Sequence, residues 1–425
     1  MALAVRRAAQ AMRLLFVSDH YPPFVGGAER QTYLLATRFA AAGHDVAVAV
    51  PWVKGLPAVE EDSGVTVYRV RQLRNAWSRL APGDRYCHPP PYPDPVTALA
   101  LRRLVRRFRP DVVHSQGWIS YSAAAGMLGL RTPLLVSARD YGYFCANRTL
   151  LRDNVPCSGP SLTKCLPCAG RYYGRPKGWI AVAGVGLWQP LLRRKVSAVH
   201  SISNFVDQAM RTHFRRNGRP THPTPDIVIP SFLADDPDGD GEVAVLLDTL
   251  PTEPFILYVG QFRRVKGLEV LFEAYERLES PPPLVLIGEP HADGPPEMPP
   301  YANIMVAWPH RAVMAAYERA SFAVMPSLWP EPLGSVVHEA MSRGKPVIGT
   351  NHGGHTDMIV DGETGFLLPP GDVAALVEAM EKLSADPELR ERMGKAALER
   401  SQLFTASSAL PRFAQLYSDL AVTTA

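Results

Sequence analysis

Two glutamates, Glu331 and Glu339, bracket seven residues in the run Trp329-Pro330-Glu331-Pro332-Leu333-Gly334-Ser335-Val336-Val337-His338-Glu339-Ala340-Met341. The prolines hold Glu331 ahead of a helix, and the apolar pattern that follows places Glu339 within it. Eight residues along a helix rise about 12 Å at about 1.5 Å per residue. A ligand of that length can offer a hydroxyl to a carboxylate at each end. Between the two acids, the N–H groups of Leu333, Gly334, Ser335 and Val336 open the helix, and a helix start favours an anion such as phosphate. An amphipathic helix with a first-turn acid and one solvated glutamate shows the same spacing, so the spacing needs support from elsewhere in the chain.

Two loops offer that support. Gly260-Gln261-Phe262-Arg263-Arg264-Val265-Lys266-Gly267 follows a strand pattern and precedes a helix pattern, so three cations stand on a strand's carboxyl end where they can hold a diphosphate. The run is not a Walker A loop, because the Gly-Lys-Ser/Thr ending is missing. Ser18-Asp19-His20-Tyr21-Pro22-Pro23-Phe24-Val25-Gly26-Gly27-Ala28-Glu29 is stiffened by two prolines, and Gly26-Gly27 allows a close backbone approach to a phosphate or sugar hydroxyl. A plain strand-to-helix loop and a solvated basic turn are the ordinary alternatives.

A further cluster lies between the loops. Arg139-Asp140-Tyr141 ends the strand pattern Pro133–Ser137. Then come Cys145, Cys157, Cys165 and Cys168, with eleven, seven and two residues between successive members. Four thiolates satisfy tetrahedral zinc, and such a site would staple a long loop. Reduced thiols and disulfides are the alternatives. Cys87 stands alone.

These residues need a scaffold of short strands with helices between them. Strand patterns recur at Arg13–Ser18, Asp45–Pro51, Val65–Val70, Asp111–Ser115, Pro133–Ser137, Ala198–Ser203 and Asp226–Pro230, with helices predicted at Ala28–Ala42 and Thr97–Phe108. Several of the strands are continuously apolar, as strands buried on both faces must be. Asp235–Glu242 is acidic and rich in Gly and Pro, and reads as a linker rather than a calcium loop. The alternation then restarts with strands at Phe255–Gly260, Leu284–Gly288, Ile304–Trp308, Phe322–Pro326 and Pro346–Thr350. Helices are predicted at Leu268–Leu278, Arg311–Ala320, Ser335–Arg343, Asp372–Leu383 and Pro387–Ser401. The expectation is an α/β chain of two doubly wound, Rossmann-like halves whose strand ends face one cleft.

The motif set resembles the family-4 retaining glycosyltransferases. The resemblance rests on Glu331 to Glu339 with Gly334 between them, Arg343-Gly344-Lys345-Pro346-Val347, Gly353-Gly354, Asp361-Gly362-Glu363-Thr364-Gly365-Phe366-Leu367, Pro370-Gly371-Asp372, Lys266-Gly267 and Gly26-Gly27-Ala28-Glu29. It implies a GT-B architecture. Residues 12–232 would form an N-terminal acceptor domain with a Cys-rich insert over about 145–170. Residues 243–405 would form the nucleotide-sugar domain, and 406–425 a last helix returning to the first domain. The resemblance further implies that Glu331 contacts the donor hexose and Glu339 its ribose. Lys266 with Arg263 or Arg264 would neutralise the diphosphate, while Leu333, Gly334, Ser335, Gly26 and Gly27 line the donor. No catalytic metal is implied, and the leaving phosphate would take the acceptor proton. Two positions depart from the family pattern: Gln261, where many relatives carry Arg, and Arg139, where many carry His. Arg139 and Tyr141 are expected to contact the acceptor and Asp140 to orient its hydroxyl. A sugar-nucleotide epimerase or a degenerate interaction protein on the same fold are the competing readings.

Composition bounds the partners. The 425 residues carry 45 Lys+Arg against 41 Asp+Glu, a net charge of +4 that gives no argument for nucleic acid. No apolar run approaches the roughly 18–20 residues of a membrane span, and the first twelve residues lack the pattern of a secretion signal. The chain is therefore expected to act in the cytoplasm on a nucleotide-diphosphate sugar and an acceptor that is lipid-linked or a small molecule. Leu101 to Arg109, and Lys177-Gly178-Trp179 through Trp188 to Arg193-Arg194-Lys195, pair apolar residues with cations in the manner of interfacial helices, which adds peripheral contact with the inner face of a membrane to the expectations.

Overall fold

The computed structural model describes residues 11–23, 27–73, 89–153, 155–214, 227–233 and 242–422. The linker expected at 235–242 lies almost wholly outside them, as do Gly26 and Cys87.

The first half begins with β1 (Arg13–Ser18), α1 (Gly27–Ala41), β2 (Asp45–Pro51), β3 (Val59–Asp62) and β4 (Val65–Val70). It continues through α2 (Pro95–Phe108), β5 (Val112–Gln116), α3 (Ile119–Gly126) and β6 (Leu134–Ala138). Next come a two-stranded hairpin, β7 (Leu151–Arg152) with β8 (Val155–Pro156), then the helical pair α4 (Leu162–Tyr173) and α5 (Arg175–Lys195), followed by β9 (Ala198–Ser201), α6 (Asn204–Ala209) and β10 (Ile227–Val228). The eight-stranded sheet runs β10-β9-β6-β5-β1-β2-β4-β3, parallel except for the edge strand β3. β3 reads Val-Glu-Glu-Asp, and its charges suit an edge that must not pair with another chain. That polarity is also why no strand is predicted there. Start and stop signals are local: Asp94 Oδ1 accepts from Thr97 N at 2.8 Å and Pro95 opens α2.

The second half contains α7 (Glu242–Leu247), β11 (Phe255–Val259), α8 (Leu268–Tyr275), β12 (Leu284–Ile287), β13 (Ala302–Met305), α9 (His310–Arg319) and β14 (Ala320–Val324). Then follow α10 (Ser335–Ser342), β15 (Val347–Thr350), α11 (His355–Met358), β16 (Gly365–Leu368), α12 (Val373–Ala385), α13 (Pro387–Ser401) and α14 (Ala406–Val422). Its six strands run β13-β12-β11-β14-β15-β16, all parallel. Strand order reverses between β1 and β5 in the first sheet and between β11 and β14 in the second. The crevice outside the carboxyl ends at such a reversal is where open α/β sheets bind ligands. The segment that follows Ser18, the Gly260–Gly267 loop and the Trp329–Ser335 segment leave the sheets at these two reversals.

α14 leaves the second half and packs on the first sheet, where Phe413, Leu416, Tyr417 and Leu420 are buried against β1, β2 and α1. A buried polar chain fixes it. His200 Nε2 must donate to the Ile229 carbonyl at 2.7 Å, so its Nδ1 accepts from Ser137 Oγ at 2.7 Å. Ser137 Oγ then accepts from His114 Nε2 at 2.6 Å, and His114 Nδ1 accepts from the Tyr417 hydroxyl at 2.7 Å. Every proton has one place, and both imidazoles are neutral. Tyr417→Phe leaves His114 Nδ1 buried without a donor. We expect a loss of about 1–3 kcal/mol, read as a lower denaturant midpoint at unchanged m-value.

Candidate active site

Gly267 sits at φ 78°, and a Cβ there would fall 1.9 Å from the Pro326 carbonyl oxygen. Only glycine lets the loop after β11 press on the end of β14. This close approach delivers Lys266 to Glu331, with Nζ 2.5 Å from Oε1 and 5.4 Å from the Trp329 ring centroid. The Ser327 hydroxyl donates to the same carboxylate oxygen at 2.8 Å. Burial raises the affinity of Glu331 for a proton, but Lys266 above all, with His355 and Ser327, outweighs it and holds the carboxyl below its ordinary range. The group is an anion beside a cation at the cleft.

The segment carrying Glu331 is packed backbone to backbone. Gly354 N donates to the Glu331 carbonyl at 2.6 Å, a Cβ on Gly353 would lie 2.5 Å from that oxygen, and one on Gly354 would lie 2.4 Å from Leu333 Cα. Gly334, at φ 89°, caps α10, and a Cβ there would meet the buried His355 ring at 2.9 Å. The Gly353-Gly354 pair thus clamps the helix start rather than a ligand. Ser335 and Val336, in the first turn of α10, have no intrahelical acceptors for their N–H groups.

At the other end, Glu339 is buried on α10 and accepts from His310 Nε2 at 3.0 Å. The Arg30 guanidinium lies 3.2 Å from His310 Nδ1. A guanidinium can only donate, so Nδ1 accepts and Nε2 carries the proton given to Glu339. Arg30 lies on α1 in the first half, so this relay crosses the cleft.

The three cations of the Gly260–Gly267 loop therefore part company. Lys266 joins Glu331. Arg263 forms a fork with Asp293, NH2 to Oδ2 at 2.8 Å, which holds the Asp293 carboxyl below its usual range. Arg264 pairs with Glu269 at 3.3 Å on the exposed side of the turn. Neither arginine is joined to Glu331, and of the three cations Lys266 alone is paired with it.

On the first sheet the structure corrects one acceptor expectation, that for Tyr141. Tyr141 is fully buried and its hydroxyl donates to the Pro330 carbonyl at 2.7 Å, so it fastens the two halves together rather than presenting an acceptor contact. Asn204 N, donating to Asp357 Oδ2 at 2.6 Å, is a second such fastener. Arg139 reaches Gln116 Oε1 at 2.6 Å and Ser231 Oγ at 3.0 Å, a tether along the strand ends. Asp140 is held by Arg148, whose NH2 lies 2.6 Å and Nε 2.8 Å from Oδ2. Arg148 also stands 3.6 Å from buried Asp19, which accepts from Trp118 N and Ile119 N at 3.0 and 2.8 Å. Burial raises the Asp19 pKa even with Arg148 opposing it. Asp19 and Arg148 carry no motif, and His310 has none either. Each acquires its place only when β1, β6 and α10 meet.

Of the donor-lining glycines, Gly27 opens α1. The tetrathiol site is not assembled: among the described residues no three His, Cys, Asp or Glu side chains converge to hold an ion. The four cysteines form no disulfide, and Cys145, Cys157 and Cys165 pack as small apolar groups. Cys145 Sγ donates to Asn147 Oδ1 at 2.8 Å, and burial pushes its pKa up to about 12. Cys168 Sγ turns to the Leu151 carbonyl instead.

A two-sheet α/β fold with glycine-bearing loops at both switch points defines a class, and comparison with known proteins agrees. The model for "Glycosyl transferase 4-like domain" matches residues 26–223 and that for "Glycosyl transferases group 1" matches residues 248–400. The chain belongs to the GT-B glycosyltransferases, of the family-4-like group, and is an enzyme of that type. It is 29% identical over 431 residues to glycogen synthase of Mycobacterium tuberculosis, covering 92% of this chain and 90% of that one. It is 36% identical over 166 residues to the sulfoquinovosyl transferase SQD2 of Arabidopsis thaliana, covering 36% and 31%. In fold it is similar to sucrose-phosphate synthase from Thermosynechococcus elongatus, with a TM-score of 0.71, 22% identity and coverage of 97% and 100%. It is also similar to HepE of Anabaena in complex with UDP-glucose, with a TM-score of 0.65, 16% identity and coverage of 96% and 100%. Among the described residues no helix is long and apolar enough to cross a membrane.

Proposed function

We propose that this glycosyltransferase takes a hexose from a nucleotide-diphosphate sugar and passes it to an acceptor hydroxyl with retention of anomeric configuration, without a catalytic metal. The observation that carries the reading is Lys266 Nζ at 2.5 Å from Glu331, beside the start of α10, with Glu339 about one turn into that helix. The diphosphate sits at the helix start and draws Lys266 as its counter-ion, so cation and helix dipole do the electrostatic work. Glu331 accepts hydroxyl hydrogen bonds from the hexose. Glu339, polarised by His310, accepts those of the ribose. The leaving phosphate takes the acceptor proton, and the fork of Arg148 on Asp140 shapes the acceptor side. The HepE structure holding UDP-glucose supports a donor of this class. We place the reaction in the cytoplasm, in keeping with free thiols in the insert.

The test is calorimetric titration with UDP-, ADP- and GDP-sugars, followed by product analysis with and without EDTA. Binding of one donor, an axial or equatorial linkage matching that donor, and EDTA-insensitive turnover are expected. No binding of any nucleotide sugar at millimolar concentration overturns the reading, and loss of turnover in EDTA overturns metal independence. Elemental analysis of the same protein separates a structural zinc on the four cysteines from reduced thiols.

A further inference from the structure

From Asn154 to Val206 the chain carries seven Lys and Arg and no Asp or Glu. This stretch contains α4 and α5, and it holds eight of the nineteen large apolar side chains exposed among the described residues. On α5 the inward face is Gly178, Ala181, Val182, Val185 and Leu192. Gly178 is close enough to α4 that a Cβ would sit 2.2 Å from the Ala169 carbonyl oxygen, so the two helices form one rigid hairpin. The outward face repeats at helical spacing. Ile180 is 54% and Leu187 75% exposed, with Trp179 at 51% and Trp188 at 42% on the shoulders. Leu162, at the start of α4, is 70% exposed. Exposed Arg175, Lys177 and Arg194 flank the outward face. A cavity of about 320 Å³ opens beside Leu162, walled by Val182 and Val185.

We propose that the outward face of the α4–α5 hairpin is a membrane-docking surface for a bilayer containing anionic phospholipid. Outward Leu and Ile gain by leaving water, while Trp suits the headgroup boundary. Lys and Arg gain from the anionic surface potential. A second copy of the chain does not fit, because pairing this face with itself sets Arg175, Lys177 and Arg194 against their own counterparts. A polyanion alone gives no reason for the apolar stripe. The face also borders the cleft: Tyr172, near the end of α4, lies beside Arg263, and Arg148 lies near Tyr173. Resting on the proposed transfer reaction, this placement brings an acceptor carried in the bilayer to the Asp140 side of the site.

The test is co-sedimentation of the full chain with vesicles of phosphatidylcholine alone and of phosphatidylcholine mixed with phosphatidylglycerol. Tryptophan emission and nucleotide-sugar binding are recorded on the same preparations. We expect partition onto the mixed vesicles at least about tenfold stronger than onto neutral ones, weakened by salt, with emission shifted to the blue. Ile180→Asp with Leu187→Asp should abolish partition, and Lys177→Gln or Arg194→Gln should each lower it about fivefold. Both kinds of variant should bind nucleotide sugar as the parent does. Equal partition onto both vesicles, parent-like partition of the Ile180/Leu187 variant, or self-association that buries the stripe overturns the proposal. Loss of nucleotide binding in the parent would instead indict the donor site.

Discussion

Glu331→Gln should lower kcat/KM for glycosyl transfer by about 10²–10³-fold while leaving the protein folded. The substitution keeps the shape of the side chain and its contact with Ser327, and removes only the charge facing Lys266. That charge sits in a buried segment whose backbone is clamped by Gly353 and Gly354, so no neighbouring acid can take its place. Lys266→Ala should be as damaging to catalysis and more damaging to the fold. It strands a buried carboxylate, and breaking a buried pair costs about 3–5 kcal/mol, a figure to be discounted here because Lys266 keeps 23% of its surface in water. Steady-state kinetics and denaturant titration on the two single variants and the double variant separate the effects. The double variant should recover stability relative to Lys266→Ala, but not activity. Unchanged turnover in a folded Glu331→Gln protein would remove the residue from the reaction.

Acidification should unfold this protein well before carboxylates titrate. His114, His200, His338 and His355 are buried, and burial is the leading cause that lowers each pKa, to about 3 for His200 and about 4 for His338 and His355. An unfolded chain takes up protons at these residues below about pH 6.5, while the folded chain does not. The unfolded state therefore binds more protons, and stability falls as pH drops from about 6.5 towards 4. Over the first unit each histidine contributes about 1 kcal/mol, so the four together approach the marginal stability of a domain. Asp19 works in the opposite direction, since its raised pKa makes the folded state the better proton acceptor as pH falls. Denaturant midpoints at pH 7 and pH 5.5 decide the matter. A midpoint that does not move would show that the histidines are protonated in the folded protein.

The two-sheet plan was legible because continuously apolar strands such as Phe255–Val259 and Leu284–Ile287 leave few alternatives, and because Gly and Pro punctuate the turns between them. Lys266, Glu331 and Glu339 were legible because they sit within a few residues of a helix start, where local spacing maps directly onto geometry. The acceptor side was not. Tyr141 looked like a contact residue from its place after a strand, yet it meets Pro330, 189 residues away. Arg263 reads as a loop cation from its place after a strand, and its partner Asp293 stands 30 residues on. Side chains whose role depends on a partner from another element leave no periodic signal. The four cysteines illustrate the same limit, since their spacing does not foretell that Asn147 bridges Cys145 and Cys168.

The return of α14 to the first sheet has a bearing on biosynthesis. During translation β1 to β10 emerge with one flank bare, and the helix that shields Phe16 and His114 is made only after some 180 further residues of the second Rossmann-like unit. Until then that flank is an exposed apolar surface of the kind chaperones and aggregation compete for. The nascent amino-terminal half therefore reaches its final state after the carboxyl-terminal half, reversing the vectorial order usual for chains with two units.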